Sequence, residues 1–172
     1  MMLEMINFTI LSLLLVLAVL VLMLLSMFFY GAPFEPTDSK TMRKMIYFAK
    51  VKKNEKVADL GSGNGKIVIA FAKKGIESHG FEINPFLVWY SRRKIRKMNL
   101  ENKAFIHWKD FWTQNLKEFN VVCVFQIGNI MGKLGEKLKR ELPSGSRVVS
   151  NIWKFPNLEL KKKDGDVYLY GV

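Results

Sequence analysis

The chain has 172 residues, a formal net charge of +12 and one cysteine, Cys123. This length accommodates one domain with its own hydrophobic core and a shorter appendage. A single cysteine excludes an internal disulfide and a cysteine metal cage. The charge is uneven, because the residues from Glu35 onward carry 27 Lys and Arg against 14 Asp and Glu, 27 − 14 = +13. Such a domain favours an anionic neighbour, which includes lipid head groups, nucleic acid and acidic proteins, although a solvated lysine surface is the ordinary alternative.

The N-terminal segment predicts a transmembrane anchor over residues 1–30. No charged residue lies in the range 5–34, and the run 10–25 is almost entirely apolar. A bilayer core needs about 20 apolar residues in a helix. The run is apolar on every side, which disfavours an amphipathic surface helix. A cleaved signal peptide is the rival prediction, but Glu4, the long apolar core and the bulky aromatic exit at 28–30 argue against it.

Residues 31–37 are predicted to form a short, stiff linker, because Pro33 and Pro36 favour extended backbone. Asp38 is a plausible N-cap for an amphipathic helix and opens a domain predicted to span 38–172. Three cations closely follow the anchor: Lys40, Arg43 and Lys44. The positive-inside rule then predicts a single-pass membrane protein whose C-terminal domain is cytoplasmic.

The stretch Val57–Gly65 organises this domain. It reads as a short apolar strand ending in Asp59-Leu60, followed by glycines at three alternate positions, and a helix begins at Lys66. Strand, glycine loop and helix open a nucleotide-binding βαβ unit. The alternative is a glycine-rich turn without a ligand, since a motif match alone is a hypothesis.

The spacing of the loop indicates which nucleotide is bound. A dinucleotide fingerprint reads G-x-G-x-x-G, whereas this loop reads G-x-G-x-G and follows a carboxylate, Asp59. That carboxylate is poorly placed for a pyrophosphate and suits a ligand with a cationic amino group, as in S-adenosylmethionine (SAM). Glu82 ends the next predicted strand, 82 − 59 = 23 residues later, where Rossmann-like folds place an acid on ribose hydroxyls.

The rest of the chain predicts five further strands and two further helices. A helix from Asn84-Pro85 to Met98 follows strand two, and a helix marked by Met131, Leu134 and Leu138 stops at Pro143. The later predicted strands are 104–108, 121–125, 147–153, 158–162 and 167–172, with Asp164-Gly165 as a hairpin turn. His79 and His107 are read as isolated residues and Cys123 as a packed core thiol, and no metal-ligand spacing is present.

These residues resemble the class I SAM-dependent methyltransferases, whose motif I is D-x-G-x-G-x-G. More closely, the chain resembles the membrane-anchored protein-lysine methyltransferases that act on the ATP synthase c-subunit and the adenine nucleotide translocase, with archaeal relatives. The segments that carry this resemblance are Pro36-Thr37, 59–68, 80–85, 110–112, Lys137-Leu138, Glu141-Leu142, 148–151 and Phe155-Pro156. The resemblance implies an α/β fold, a seven-stranded Rossmann-like sheet with an antiparallel edge, preceded by the transmembrane helix.

The resemblance also implies roles for individual residues. Asp110 stands where the class places an acid on the adenine amino group, although a surface Asp in a turn is the alternative, and the Phe111 N–H suits a ring nitrogen. The residues predicted to bind SAM are Asp59, Gly61, Ser62, Gly63, Asn64, Gly65, Glu82, Ile83, Asn84, Asp110 and Phe111. Those predicted to contact the substrate are Pro36, Thr37, Asn151 and Phe155. No catalytic residue is assigned.

The implied reaction transfers methyl groups to lysine side chains of a protein with an accessible lysine, membrane proteins included. The basic face would then lie toward anionic lipid. Two alternatives stay open: a membrane-tethered methyltransferase acting on RNA or a small lipophilic molecule, and a SAM-binding protein without catalysis. The loop after strand four lacks the Asn-Pro-Pro-Tyr type of tetrad used on adenine amines, which disfavours nucleic acid.

Overall fold

The chain divides into two units, Met1–Pro33 and Phe34–Val172. A computed structural model describes residues 2–29 and 37–172, with side chains described at 7–21 in the first range. The first unit contains one helix, α1 (Met2–Phe29), and its side chains from 7 to 21 are exposed. Across the described residues, no helix meets the combined length and hydropathy of a membrane-spanning segment. The predicted linker residues up to Pro36 and the side chains of the aromatic group at 28–30 lie outside the described residues.

The second unit is a seven-stranded sheet covered by helices. Its elements are α2 (Ser39–Ala49), β1 (Lys56–Leu60), α3 (Lys66–Ala72), β2 (Glu77–Glu82), α4 (Pro85–Lys97), β3 (Ala104–Trp108), β4 (Val121–Val124), α5 (Met131–Glu141), β5 (Arg147–Asn151), β6 (Glu159–Asp164) and β7 (Val167–Gly171). The strand order is β3-β2-β1-β4-β5-β7-β6. The first five strands are parallel, and β7 runs antiparallel to both β5 and β6. The predicted seven-stranded Rossmann-like sheet with an antiparallel edge is confirmed.

Helix α2 begins where the sequence predicts. The Asp38 carboxylate accepts hydrogen bonds from the N–H groups of Lys40 and Thr41 at 2.8 and 3.1 Å, which satisfies two otherwise unpaired donors of the first turn. Farther along the helix, the side chains of Met45 and Phe48 are buried against the sheet. The amphipathic pattern therefore fixes which side of α2 covers the core.

Two predicted strands, the fifth and the sixth, end two residues away from their observed ends, and the predicted ends of β4 and β7 are one residue late. Strand β5 ends at Asn151 and not at Trp153, because Ile152 has φ +65°, a left-handed conformation that ends extended pairing. The turn is closed by the Ser150 hydroxyl, which donates to the Trp153 carbonyl at 2.6 Å. Strand β6 runs from Glu159 to Asp164, later than predicted, with an irregularity in its pairing to β7 between residues 160 and 162.

The sequence suggested that the two histidines are isolated, but the structure brings them together. His79 on β2 and His107 on β3 face each other, with Nδ1 of the first 3.0 Å from Nε2 of the second. Burial, then the charge of His79, lowers the pKa of His107. Cys123 is fully buried in the core, as predicted, and burial raises the pKa of its thiol. Within residues 2–29 and 37–172, no cluster of His, Cys, Asp or Glu is arranged to hold a metal ion.

Candidate active site

The parallel strands bring the predicted site residues to one edge of the sheet. Strands β1 to β5 run in the same direction, so their carboxyl ends meet at that edge. Asp59 and Glu82 lie at the ends of β1 and β2, and Asp110 follows β3. Gln126 and Asn151 mark the corresponding positions after β4 and on β5. This edge is where ligands bind in open α/β sheets.

The glycine loop, residues 61–65, has the backbone that only glycine adopts readily. Each of its three glycines has φ between +53° and +79°. The N–H groups of Gly61 and Ser62 both donate to the carbonyl of Phe81, at 2.9 and 3.1 Å. The loop is therefore bound to the end of β2, next to Glu82.

The last residues of the loop start helix α3. Asn64 accepts a hydrogen bond from the Lys66 N–H through its side-chain oxygen at 3.3 Å. A β-carbon on Gly65 would lie 2.9 Å from the β-carbon of Ser91, which is too close for ordinary packing. The glycine thus lets α4 approach the loop closely. Asn64 has a local structural role in addition to the ligand role predicted for it.

Glu82 clamps the loop to the start of α4. Its side chain is buried, and one carboxylate oxygen accepts from the Gly63 N–H at 2.8 Å while the other accepts from the Asn84 N–H at 2.9 Å. A carboxylate offers about four lone-pair sites, so two bonds leave capacity for ribose hydroxyls. Glu82 can therefore shape the loop and hold a ligand at the same time.

Asp59 and Ser62 are buried polar groups that lack partners. Asp59 is 4% exposed and its carboxylate forms no hydrogen bond or ion pair with a described residue, and the buried Ser62 hydroxyl likewise has no partner there. Burial, followed by the negative charge of Glu82, raises the pKa of Asp59 to about 7. Unsatisfied buried polar groups are costly, so a carboxyl without a partner beside the glycine loop indicates a ligand that pairs with it. A cationic amino group, as SAM carries, fits Asp59, whereas the Ser62 hydroxyl lies against Gly80 of β2.

The residues predicted for the adenine side have local hydrogen bonds as well. Asn84 caps α4, its side-chain oxygen accepting from the N–H groups of residues 86 and 87 at 3.0 and 3.4 Å. The Ile83 carbonyl accepts from the Trp108 indole at 3.0 Å. One Asp110 oxygen accepts from the Trp112 N–H at 2.9 Å, which leaves the other oxygen for an amine. Phe111 opens the short turn that follows and packs against the core.

Gln126 is a site residue that the sequence interpretation missed. It follows β4, and its side-chain amide donates to the Leu60 carbonyl at 3.0 Å. A β-carbon placed on Gly61 would lie 2.1 Å from that amide nitrogen. Gln126 therefore covers the glycine loop from the side of β4. Its position in the loop after strand four marks it as a candidate site residue, but only the parallel pairing of β1 and β4 brings it over Gly61.

A cavity of about 350 Å³ lies beside this edge, on the β4–β5 side. Two residues predicted to contact the substrate line it, Thr37 and Asn151, together with Phe125 and two acids, Asp38 and Asp166. The remaining lining residues are Lys40, Thr41, Lys44, Ile152, Gly165 and Val167. The cavity therefore combines apolar walls with two acids and two lysines, Lys40 and Lys44.

The other two residues predicted to contact the substrate, Phe155 and Pro36, are not among the described residues that line this cavity. Phe155 is 4% exposed within the core, packs edge-on against Tyr170, and its N–H donates to that tyrosine hydroxyl at 3.1 Å. It does not line the cavity. Pro36 lies outside the described residues, while its neighbour Thr37 is tied to α3, because its carbonyl accepts from the Lys66 ammonium at 2.7 Å.

Comparison with curated proteins places the site in a known context. The human lysine N-methyltransferase of the ATP synthase c-subunit is 35% identical over 125 residues, which are 73% of this chain and 53% of that protein. A protein-lysine N-methyltransferase of Saccharolobus islandicus (strain REY15A) is 34% identical over 148 residues, 80% of this chain and 92% of that protein. The chain thus spans about half the length of the animal relatives and nearly all of the archaeal one.

A solved structure shows the same fold. The RNA methyltransferase from Salinibacter ruber, in complex with S-adenosylhomocysteine, has a TM-score of 0.74 and 27% sequence identity, covering 80% of this chain and 94% of that one. The model of the ANTKMT methyltransferase domain matches residues 59–162, from the carboxylate at the end of β1 into β6. The matched range contains the glycine loop, Glu82 and Asp110. The chain therefore belongs to the ANTKMT methyltransferase domain family.

Proposed function

We propose that the protein transfers methyl groups from SAM to lysine side chains of protein substrates. The observation that carries this proposal is the buried, unpartnered Asp59 beside the glycine loop, in a chain that aligns with an archaeal protein-lysine N-methyltransferase over 92% of the length of that relative. The glycine loop leaves room for a ligand against the backbone. A carboxylate without another partner supplies the negative charge that balances a cationic cofactor once the cofactor has left water.

The described residues would hold the cofactor in three parts. Asp59 and Ser62 would take the amino acid portion, Glu82 the ribose hydroxyls, and Asp110 with the Phe111 N–H the adenine ring. When bound, SAM supplies a methyl group carried on a positively charged sulfonium, which makes that carbon electrophilic. The protein's task is then to orient an acceptor and keep water away from it.

The cavity of about 350 Å³ would receive the lysine. Hydrogen bonds from Thr41, and then from the Lys40 N–H, lower the pKa of Asp38, so its carboxylate stays negative near neutral pH. Asp38 and Asp166 would attract the ammonium group. A free lysine has a pKa of about 10.4, and transfer requires the neutral amine. The two carboxylates favour the charged amine, whereas desolvation against apolar walls such as Phe125 and Ile152 favours the neutral amine, whose lone pair is free to attack.

We further propose that α1 anchors the protein in a membrane, with the second unit on the cytoplasmic side. What supports this is its length, about 42 Å for 28 residues at about 1.5 Å each, together with the uncharged sequence from residue 5 to 34. Residues 7–21 supply about 22 Å of that length, less than a bilayer core of about 30 Å, so the span would draw on the flanking residues. Carbonate washing of membranes should leave the full-length chain in the pellet, and its release would exclude the anchor.

The methyl acceptor is tested by labelling. The full chain is incubated with radiolabelled SAM and membranes, and the product is digested with protease or with nuclease. Acid-stable N-methyl-lysine supports the proposal. RNA is the second candidate, favoured by the likeness to the Salinibacter ruber enzyme, and nuclease-sensitive label would establish it. Label in organic-soluble lipid would establish a small lipophilic acceptor, and SAM binding without any transfer would establish a protein without catalysis.

A further inference from the structure

A groove of about 430 Å³ lies along α4 next to β3, the edge strand of the sheet. None of its lining residues is among those predicted to hold the cofactor or the substrate. It is lined by Pro85, Val88, Trp89, Arg92, Arg93, Arg96 and Trp108. Three guanidinium groups and two indoles thus share one concave surface that contains no carboxylate.

The positive charge of this groove is not compensated within the described part of the chain. Arg92 is bound to the edge strand, its Nε and one terminal nitrogen donating to the Ile106 carbonyl at 2.9 and 2.8 Å. Arg93 lies over the Trp89 ring at 5.7 Å, and neither its guanidinium nor that of Arg96 forms an ion pair or hydrogen bond with a described residue. Helix α4 carries five cations and no acid. An anion is the partner that these groups lack.

Large aromatic side chains accompany the cations. Phe86, Trp89 and Tyr90 are 55%, 61% and 49% exposed, and Trp108 is 61% exposed. Residues 86, 89 and 90 have the i, i+3, i+4 spacing, so they form one compact patch on the first turns of α4. The cations follow on the later turns. Rings with a polar edge beside arginines are typical of surfaces at a membrane–water interface.

Single-stranded RNA also binds through aromatic rings and arginines, but it uses rings spaced along the strand so that successive bases stack on them. Three of the rings here, at 86, 89 and 90, are gathered on the first turns of α4, and Arg93 lies beside them, over the Trp89 ring. That arrangement suits insertion of the rings among lipid head groups while the arginines bind phosphates. Neighbouring exposed aromatic side chains of this kind mark interaction surfaces.

We propose that the aromatic–basic face of α4, defined as Phe86, Trp89, Tyr90, Arg93 and Arg96, docks on the anionic head groups of a membrane. The second unit thereby has a lipid contact of its own, which would set how its active site is presented to a membrane-proximal substrate. The proposal does not depend on methyl transfer. Its failure would leave the proposed function untouched.

The experiment places an environment-sensitive fluorophore at Tyr90→Cys in the full chain. Cys123 is fully buried and does not compete for the label. A matched control carries the label at Glu159→Cys, an exposed residue on β6 at the opposite edge of the sheet. The protein is reconstituted into vesicles of phosphatidylcholine alone or with about 30% phosphatidylglycerol, which gives the surface its negative potential. The proposed α1 anchor is then present in both, and only the surface charge differs. We expect a blue shift at position 90 only with anionic vesicles, and none at position 159.

A charge-matched pair of variants separates this face from net charge. Arg93→Gln with Arg96→Gln should weaken docking about 25-fold, since each arginine near an anionic surface contributes about five-fold. Lys52→Gln with Lys53→Gln removes the same charge from the exposed turn before β1 and should change docking less than about two-fold. Trp89→Ala should weaken docking without changing charge, with circular dichroism as the check on folding.

Three outcomes would overturn the proposal. The first is an equal loss of docking in both double variants, which would make the effect one of net charge. The second is a label at position 90 that does not respond to anionic vesicles. The third is a label that responds to a single-stranded oligouridylate and not to vesicles, which would make the face a nucleic-acid surface.

Discussion

Asp59 couples the protonation of the free protein to its affinity for SAM. Because burial raises the pKa of this carboxyl to about 7, about a tenth of the molecules hold it ionised at pH 6.0 and about three quarters at pH 7.5. A cationic amino group binds the ionised form. The apparent affinity scales with the fraction of competent molecules, so it should rise about eight-fold from pH 6.0 to pH 7.5.

The substitution Asp59→Asn should move affinity and stability in opposite directions. It removes a charge-assisted hydrogen bond worth about 1.5–3 kcal/mol, and it should abolish the pH dependence of affinity. The carboxyl has a raised pKa in the folded protein, from 3.8 to about 7. The cost of ionising it therefore accumulates as pH rises from about 4 to 7 and reaches about 4 kcal/mol above that. Asp59→Asn avoids this cost, so the ligand-free variant should be more stable than the wild type at pH 8 and not at pH 3.

Two measurements on the full chain check this reasoning. Titration calorimetry with SAM at pH 6.0 and 7.5 gives the affinities, and urea unfolding of the ligand-free protein at pH 3 and 8 gives the stabilities. Asp110→Asn makes the same chemical change at an exposed carboxylate and should leave the pH dependence intact. Equal wild-type affinity at the two pH values, or wild-type affinity in Asp59→Asn, would refute the assignment of Asp59 to the cofactor.

Three further predictions concern the loop and the anchor. Glu82→Ala should weaken SAM binding more than Asp110→Ala, by calorimetry, because Glu82 also holds the Gly63 and Asn84 N–H groups; equal losses would contradict this. Gly61→Ala should destabilise the fold by about 2–3 kcal/mol in thermal unfolding, because its φ of +79° strains alanine and because the new β-carbon displaces the Gln126 amide. If adding Gln126→Ala recovered the full loss, the contribution of backbone strain would be contradicted. Leu14→Arg should release the chain from carbonate-washed membranes, since an arginine at a helix centre costs about 2.5–3.5 kcal/mol, whereas Leu14→Ala should not.

The parts of this fold that follow from short-range rules were predictable from the sequence. The Asp38 cap, the glycine loop after β1 and the Asp164-Gly165 hairpin each depend on backbone preferences of a few consecutive residues. The alternation of strands and helices, read with the resemblance to the class I methyltransferases, predicted a parallel sheet with an antiparallel edge. The spacing from Asp59 to Glu82 followed from the length of one βαβ unit.

The contacts between distant segments were decided only by the tertiary structure. Gln126 reaches Gly61 because β4 lies beside β1, and His79 meets His107 because β2 lies beside β3 at one register. Phe155, which follows the backbone turn at Ile152, lies in the core instead of the cavity. No local pattern encodes these pairs, since a side chain's neighbours across a sheet depend on which strands pair and in what register. The same holds for the pKa of Asp59, which is set by burial beneath elements far along the chain.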